Sequence, residues 1–431
     1  VRAKIKQILS IVLPIRLPII IKIKHYKLKV LMKNYFRLNE LSCIVYLDSV
    51  KKLGKGIYDI AIDFRLPSDV NTFNNVIGSN LTSSTYLELR NMKTSKRLRT
   101  GCYYQLNLNL LKETIFENYV DQEFGLFGGY FELSEMEYPI NNNTEILQTH
   151  EPLNNEDLSW KNDEVIIQKK IYPSNNMEVY IKDVGQANWN ELRIEGAVKV
   201  LFDAGAELHA SKLEAQRLFN TRRNDLEESR PLLVLSHWDM DHIHCLKYLS
   251  DYDIKKCFSA LICPDRVKSV TSITIRKNFI RALGKHNVYS LSLPTRTNGI
   301  SMTKWCSMGC LTIYKGEANS NINFCGLVMF VEGTKKTVNF TGDCRLSQAN
   351  DVYIKIKANI NEYKNHILIS PHHGGDYGTK YRTYDLPCND IAISVSINNI
   401  YGHPQKNMLK YLKQRGTVVQ TSIVGDIIFK I

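Results

Sequence analysis

From residue 177 to the end of the chain, short apolar runs recur, and each one stops on a polar residue. Met177-Glu178-Val179-Tyr180-Ile181 alternates with period two and runs into the turn Asp183-Val184-Gly185-Gln186, which predicts a strand. A second strand is predicted from Ala197 to Asp203, closing on Asp203-Ala204-Gly205, and a polar, helix-like segment follows from about Leu208 to Ser229. Pro231 then opens the continuous apolar strand Leu232 to Leu235. Further strands are predicted over Thr337 to Phe340, Ile367 to Ile369 and Ile391 to Ser396, and another helix near 405 to 415. Strands interleaved with helices predict a layered α/β domain.

Upstream the pattern differs. Ile57 to Phe64 and Cys102 to Leu108 alternate among Asn, Gly and Ser, predicting a β-rich or α+β module over residues 32 to 176 with no motif that converts into chemistry. Residues 141 to 163 are polar and acidic and read as a linker. Residues 1 to 31 alternate basic residues with Ile, Leu and Val; Pro14, Arg16 and Pro18 break the stretch Ile8 to Ile23, which falls short of the roughly 20 apolar residues a spanning helix needs, so no transmembrane segment is expected. This region reads as an extension poorly tied to the fold, with Met32 a natural start. A basic arm on an anionic membrane or on nucleic acid is the alternative. The expected regions are therefore 1–31, 32–176 and 177–431.

Composition narrows the classes. With 431 residues, 44% hydrophobic and 23% charged, 23 Gly and 12 Pro, and no recurring period, the chain is not expected to be disordered, collagen-like or a solenoid. Ten cysteines without paired spacing read as reduced core thiols of a cytoplasmic protein; Cys306-x-x-x-Cys310 is at most half a zinc knuckle, with no second pair.

The chemistry gathers at strand ends. Ser236-His237-Trp238-Asp239-Met240-Asp241-His242 packs four potential ligands into six residues directly after a buried strand. On a tight loop, His237 and Asp239 can project to one side and Asp241 and His242 to the other, so one segment could serve two metal ions; imidazole and carboxylate suit Zn, Mn or Fe. More candidates end later strands: Asp343 after Thr341-Gly342, His372-His373 after Ser370-Pro371, and His403 in Tyr401-Gly402-His403-Pro404. Five of the 11 histidines occupy these loops.

Taken with Asp183-Val184-Gly185-Gln186, Asp203-Ala204-Gly205 and Thr421-x-x-x-Gly425-Asp426-Ile427, this set resembles the metallo-β-lactamase fold superfamily, and within it the hydrolase domain of the DNA-uptake competence protein ComEC and its free-standing relatives. The resemblance spans residues 177 to 431 and implies an αββα sandwich, joined here to the N-terminal β-rich or α+β domain. It departs from that branch at Ile243-His244-Cys245, where Ile-Gly-Gly is common, and at Ala187, where Gly is common; no membrane channel accompanies it. Asn323 stands near the place where many superfamily members carry another histidine, and the His372/His373 pair is expected to supply that imidazole.

Carried over residue by residue, the resemblance implies two divalent ions, zinc or manganese. One would be held by His237, Asp239 and one of His372/His373, the other by Asp241, His242 and His403, with Asp343 bridging. His373 is the favoured ligand and His372 the favoured substrate-facing acid or oxyanion donor; His244 is expected to be packed or supporting. Two ions roughly 3.5 to 4 Å apart can activate a bridging water, which Asp241 would orient and deprotonate.

Charge points weakly to a substrate. The net charge is +13, and residues 255 to 304 hold ten Lys and Arg against Asp265 alone, among them Arg276, Lys277 and Arg281. Such a segment attracts polyanions, or is an ordinary solvated basic face. The expectation is a phosphodiesterase or nuclease acting on nucleic acid or a nucleotide, with residues 32 to 176 as the place for a protein partner. The alternatives are a two-metal hydrolase of a small ester or lactone, and a non-catalytic or regulatory metal-binding module.

Overall fold

A computed structural model describes residues 41–81, 86–93, 98–109, 111, 126–130, 133–136, 171–265, 267, 269–291, 300–317, 319, 321–357, 365–375, 388–397, 399 and 401–431. The basic arm 1–31 and the linker 141–163 lie outside the described residues.

Residues 42 to 136 contribute a six-stranded sheet. Its strands are β1 (Ser42–Gly54), β2 (Ile57–Phe64), β3 (Tyr86–Lys93), β4 (Cys102–Asn107), β5 (Leu126–Tyr130) and β6 (Leu133–Met136), in the order β5-β3-β2-β1-β4-β6. The helix Pro67–Ile77 covers one face: Val70, Phe73 and Val76 pack with Val45, Leu47, Ile60 and Ile62. Period two in β1 and β2 aims alternate side chains at this helix. Among the described residues the expected β-rich or α+β module is thus a sheet covered by the helix Pro67–Ile77.

Two seven-stranded sheets follow. The first contains β7 (Met177–Ile181), β8 (Asn190–Ile194), β9 (Ala197–Phe202), β10 (Leu232–Val234), β11 (Ala260–Pro264), β12 (Val288–Leu291) and, at its edge, the last strand, β20 (Ile427–Lys430). The second runs in sequence order from β13 (Met302–Met308) through β14 (Leu311–Gly316), β15 (Leu327–Glu332), β16 (Lys336–Phe340), β17 (Asn365–Ile369) and β18 (Asp390–Ile393) to β19 (Thr417–Gln420). Their facing sides share one core, in which Val179, Val200, Phe202 and Val234 meet Met329, Val338, Phe340 and Ile367. The outer side of the first sheet packs under helices Lys212–Asn220, Arg223–Ser229, Asp251–Cys257 and Val270–Leu283. Helices Leu346–Lys357 and Lys406–Lys413 cover the second. This is the expected αββα sandwich.

Several sequence-based expectations hold closely. Met177–Ile181, Ala197–Phe202, Leu232–Val234 and Lys406–Lys413 form where the pattern placed them, and the polar segment after residue 208 is two helices meeting near Thr221. All ten cysteines are free and buried, Cys306 and Cys310 included. Among the described residues no helix is long and apolar enough to cross a membrane.

Strand direction creates the site. β9, β10, β11 and β12 run parallel in the first sheet, and β16, β17, β18 and β19 in the second. The carboxyl ends of parallel strands share an edge, so the loops after β9, β10, β16, β17 and β18 converge there.

Candidate metal centre

The loop after β10 is held from beneath by Asp203, at the end of β9. Its Oδ1 accepts from the Ser236 N–H at 2.7 Å and its Oδ2 from the Ser236 hydroxyl at 2.8 Å. The same Oδ2 lies 2.8 Å from His242 Nδ1, which donates to it and turns Nε2 toward the centre. His373 is oriented in the same way: its Nδ1 donates to the Ser394 carbonyl at 2.7 Å, so Nε2 faces the centre. Backbone bonds then tie the loops together, with Asn188 N donating to Asp241 O, Ala204 N to His242 O, and His372 N to Gly342 O.

One ligand atom each from Asp241, His242, Asp343 and His373 lies within 4.8 Å of the other three. Asp343 Oδ1 is 3.1 Å from His242 Nε2 and 4.0 Å from His373 Nε2; His373 Nε2 is 3.1 Å from Asp241 Oδ2, and His242 Nε2 is 3.6 Å from Asp241 Oδ1. The other Asp343 oxygen, Oδ2, contacts His372 Nδ1 and lies 3.9 Å from His237 Nε2, which is itself 3.4 Å from Asp239 Oδ2. The Asp343 carboxylate therefore stands between two groups of donors.

These donors suit metal ions. Atoms around a tetrahedral ion at roughly 2.0–2.2 Å are about 3.3–3.6 Å apart, close to the separations here. His237 Nε2, His242 Nε2 and Asp343 Oδ1 are buried and make no hydrogen bond within the described residues. Orphaned buried polar atoms are costly, and three carboxylates crowded into one buried site need positive charge.

The electrostatics agree. Burial would lower the His242 pKa, but the Asp241, Asp343 and Asp203 carboxylates hold it well above its ordinary value. Burial would raise Asp343, yet His372 and His242 pull it well below the usual carboxylate range. His403 goes the other way: burial, reinforced by His372 and His373, pushes it down to about 2, so it stays a neutral imidazole.

The structure groups these side chains differently from the favoured division. His373 sits with Asp241 and His242 rather than with His237 and Asp239; it is His372 that reaches Asp343 on the His237 side. The reason lies in the backbone: His372 and His373 both adopt left-handed φ, 51° and 52°, which splays adjacent side chains to opposite sides of Asp343. Such strain is tolerated where surrounding structure enforces it. His403, expected beside Asp241 and His242, has its ring 5.0 Å from that of His372 and its Nδ1 3.2 Å from Gln186 Nε2. His244 is a packed histidine whose Nδ1 meets the Glu207 carbonyl at 2.9 Å, and burial lowers its pKa to about 4.

The basic segment is also corrected. Arg276 is buried, 3% exposed, with its guanidinium donating to the Asp265 carbonyl, because the helix Val270–Leu283 is packed from both sides: Ile275 and Phe279 enter the first sheet's outer core and Val270 enters that of the N-terminal module. Arg281 is exposed but gripped by Asp251, while Lys277 is an exposed charge on the same helix.

Asp203, Gln186, Ser236 and Tyr46, whose hydroxyl donates to Asp239 Oδ1 at 2.7 Å, were given no role by the sequence. Asp203 carried a signal, a lone carboxylate at a strand end before Ala-Gly. Tyr46 carried none.

No known family profile and no curated protein matches the chain. Among solved structures it is similar to the metallo-beta-lactamase fold protein YhfI from Bacillus subtilis, at 13% identity and TM-score 0.34, covering 59% of this chain and 99% of that one. It is also similar to CmlA, a diiron beta-hydroxylase from Streptomyces venezuelae, at 12% identity and TM-score 0.34, covering 59% of this chain and 54% of that one.

Proposed function

We propose that this chain is a metal-dependent hydrolase that uses two divalent ions, zinc or manganese, bridged by Asp343. The observation that carries the reading is the Asp343 carboxylate itself, buried, with Oδ1 toward His242 and His373 and Oδ2 toward His372 and His237. His237 and Asp239 would hold one ion, and Asp241, His242 and His373 the other, with His372 and His403 beside the first. Such ions supply Lewis acidity, polarising a substrate oxygen and lowering the pKa of water.

Two side chains of the cluster open outward. Asp241 and His372 are 17% and 19% exposed, whereas His237, His242, His373 and Asp343 are at most 2% exposed. An incoming substrate and water therefore meet Asp241 and His372 first. Asp241 is suited to orient the water and take its proton, and His372, with Nδ1 held at Asp343, to donate toward a departing oxygen through Nε2.

The substrate class we favour is a phosphodiester, in nucleic acid or a nucleotide. Its support is the +13 charge of the chain, since the three residues singled out in the basic segment lend less than their sequence suggested. The burial of Arg276 and the pairing of Arg281 favour a second reading, hydrolysis of a small ester or lactone that needs no polyanion track. The ten free, buried thiols support a reducing, cytoplasmic setting. The test is metal analysis with a panel of bis-p-nitrophenyl phosphate, single-stranded DNA, RNA, a lactone and a thioester. Chelator-sensitive turnover of the phosphodiesters is expected, turnover confined to the lactone or thioester selects the second reading, and a chain that binds metal without turning over any of them is a binding module.

A further inference from the structure

Strand β1 of the N-terminal sheet reaches the metal cluster from outside the two-sheet domain. Cys43, Val45 and Leu47 face the module's own core, so Tyr46 faces the other way, fully buried against Ile322 and edge-on to Tyr103 at 5.3 Å. Its hydroxyl donates to Asp239 Oδ1, while Asp239 Oδ2 faces His237 Nε2.

The strand then shifts register. Leu47 pairs with Ile62 and Ser49 with Ala61, so Asp48 is an extra residue, a β-bulge. Ile60 and Ile62 face the module's core, but Ala61 packs against the two-sheet domain. Without the bulge the strict period of two would place Ser49 on the side of Leu47; with it, Ser49 shares the side of Tyr46. There Ser49 lies near Tyr401, whose ring stacks on His403 with centroids 5.7 Å apart.

The contact between module and domain is close. Gly101 has φ 78°, and a Cβ there would fall 2.3 Å from Asn321 Oδ1; Asn321 Nδ2 and Ile322 N donate to the Thr100 and Gly101 carbonyls. Only glycine fits that approach.

We propose that the N-terminal module is part of the metal centre, with β1 as its working element. Tyr46 is a positioning residue that holds one Asp239 oxygen and turns the other to the ion. The proposal rests on the metal-centre reading above. Partners of this kind typically set metal affinity by about 10- to 100-fold.

The test is zinc affinity of the purified full chain, by competition with a chromophoric chelator, together with metal content. Tyr46→Phe keeps the ring that packs on Tyr103 and Ile322 and removes only the hydroxyl. It is expected to weaken zinc binding by about 10- to 100-fold. Tyr104→Phe is the control, since that side chain packs in the module's own core and its hydroxyl accepts from Arg99 N; it is expected to bind zinc as the wild type does. Equal zinc affinity in wild type and Tyr46→Phe overturns the proposal. Should Tyr46→Phe fail to fold, Tyr103→Leu decides, since it removes the ring that holds Tyr46 edge-on: weakened binding supports the role of β1, and unchanged binding overturns it. A wild-type chain that takes up no zinc or manganese at all overturns the metal-centre reading itself, an outcome distinct from the others.

Discussion

Asp203 Oδ2 lies 2.8 Å from His242 Nδ1, with both side chains fully buried, and the same carboxylate caps Ser236 at the start of the ligand loop. One strand-end residue thus fixes both the shape of the loop and the orientation of a candidate ligand. Asp203→Ala would leave the Ser236 N–H and His242 Nδ1 buried without that acceptor. A stability loss of about 1–3 kcal/mol per orphaned group is expected, with zinc affinity lower by about 10- to 100-fold. Denaturant titration and chelator competition read the two effects separately.

Asp343 and His372 should differ in what they cost. Asp343 faces both donor groups, so Asp343→Ala is expected to lose both ions and all activity. His372, at the open side, is expected to cost about 10²- to 10⁴-fold in turnover as a general acid while retaining at least one ion. Metal content measured beside the rate decides; full metal content and near-normal turnover in Asp343→Ala would reject the bridge.

Gly205 packs so closely beneath the ligand loop that a Cβ would fall 1.7 Å from the Asp241 carbonyl oxygen. That atom is backbone and accepts from Asn188 N, so it cannot swing aside. Gly205→Ala is expected to cost about 1–3 kcal/mol or more and to displace Asp241. Gly78→Ala, with open space around it, should cost only its left-handed strain; a comparison of thermal midpoints in the two variants checks this.

Arg276 and Lys277 are neighbours with different expected outcomes. Arg276→Ala removes a buried side chain and is expected to destabilise by about 1–3 kcal/mol, whereas exposed Lys277→Ala should stay within about 0.5 kcal/mol. If the phosphodiester reading holds, Lys277→Ala should instead flatten the salt dependence of nucleic-acid binding, by roughly 0.7 to 0.9 in slope for the one phosphate it no longer neutralises.

Asp426 closes the edge of the first sheet. Its Oδ1 accepts from Asp183 N at 2.8 Å and its Oδ2 pairs with Lys182 at 3.0 Å. Burial would raise its pKa, but those two partners lower it below the ordinary value. A depressed folded pKa contributes stability that is present above the unfolded value of about 3.9 and is lost as pH falls through the folded one. Asp426→Asn should therefore be less stable than wild type at neutral pH, with the gap closing in acid; urea midpoints at the two pH values measure it.

The positions of the candidate ligands were legible in the chain because the parallel strands that precede them end in buried apolar residues, Leu201-Phe202, Leu233-Val234-Leu235, Phe340, Ile367-Leu368-Ile369 and Ile391-Ala392-Ile393. Whatever polar residue follows such a run must emerge at the sheet's edge. His237 to His242, Asp343, His372, His373 and His403 could be marked on that ground, and Asp203 could have been. How those side chains are grouped was decided elsewhere. His372 and His373 are adjacent in sequence and serve opposite sides of Asp343, since their left-handed backbone aims them apart, and φ is set by the packed loop rather than by residue type. Arg276 reads as surface charge until the helix that carries it is covered on two sides. Tyr46 lies 193 residues before Asp239 and belongs to an ordinary alternating strand. Its role arises from the docking of one domain on another, a meeting of distant segments that no local period of apolar residues encodes.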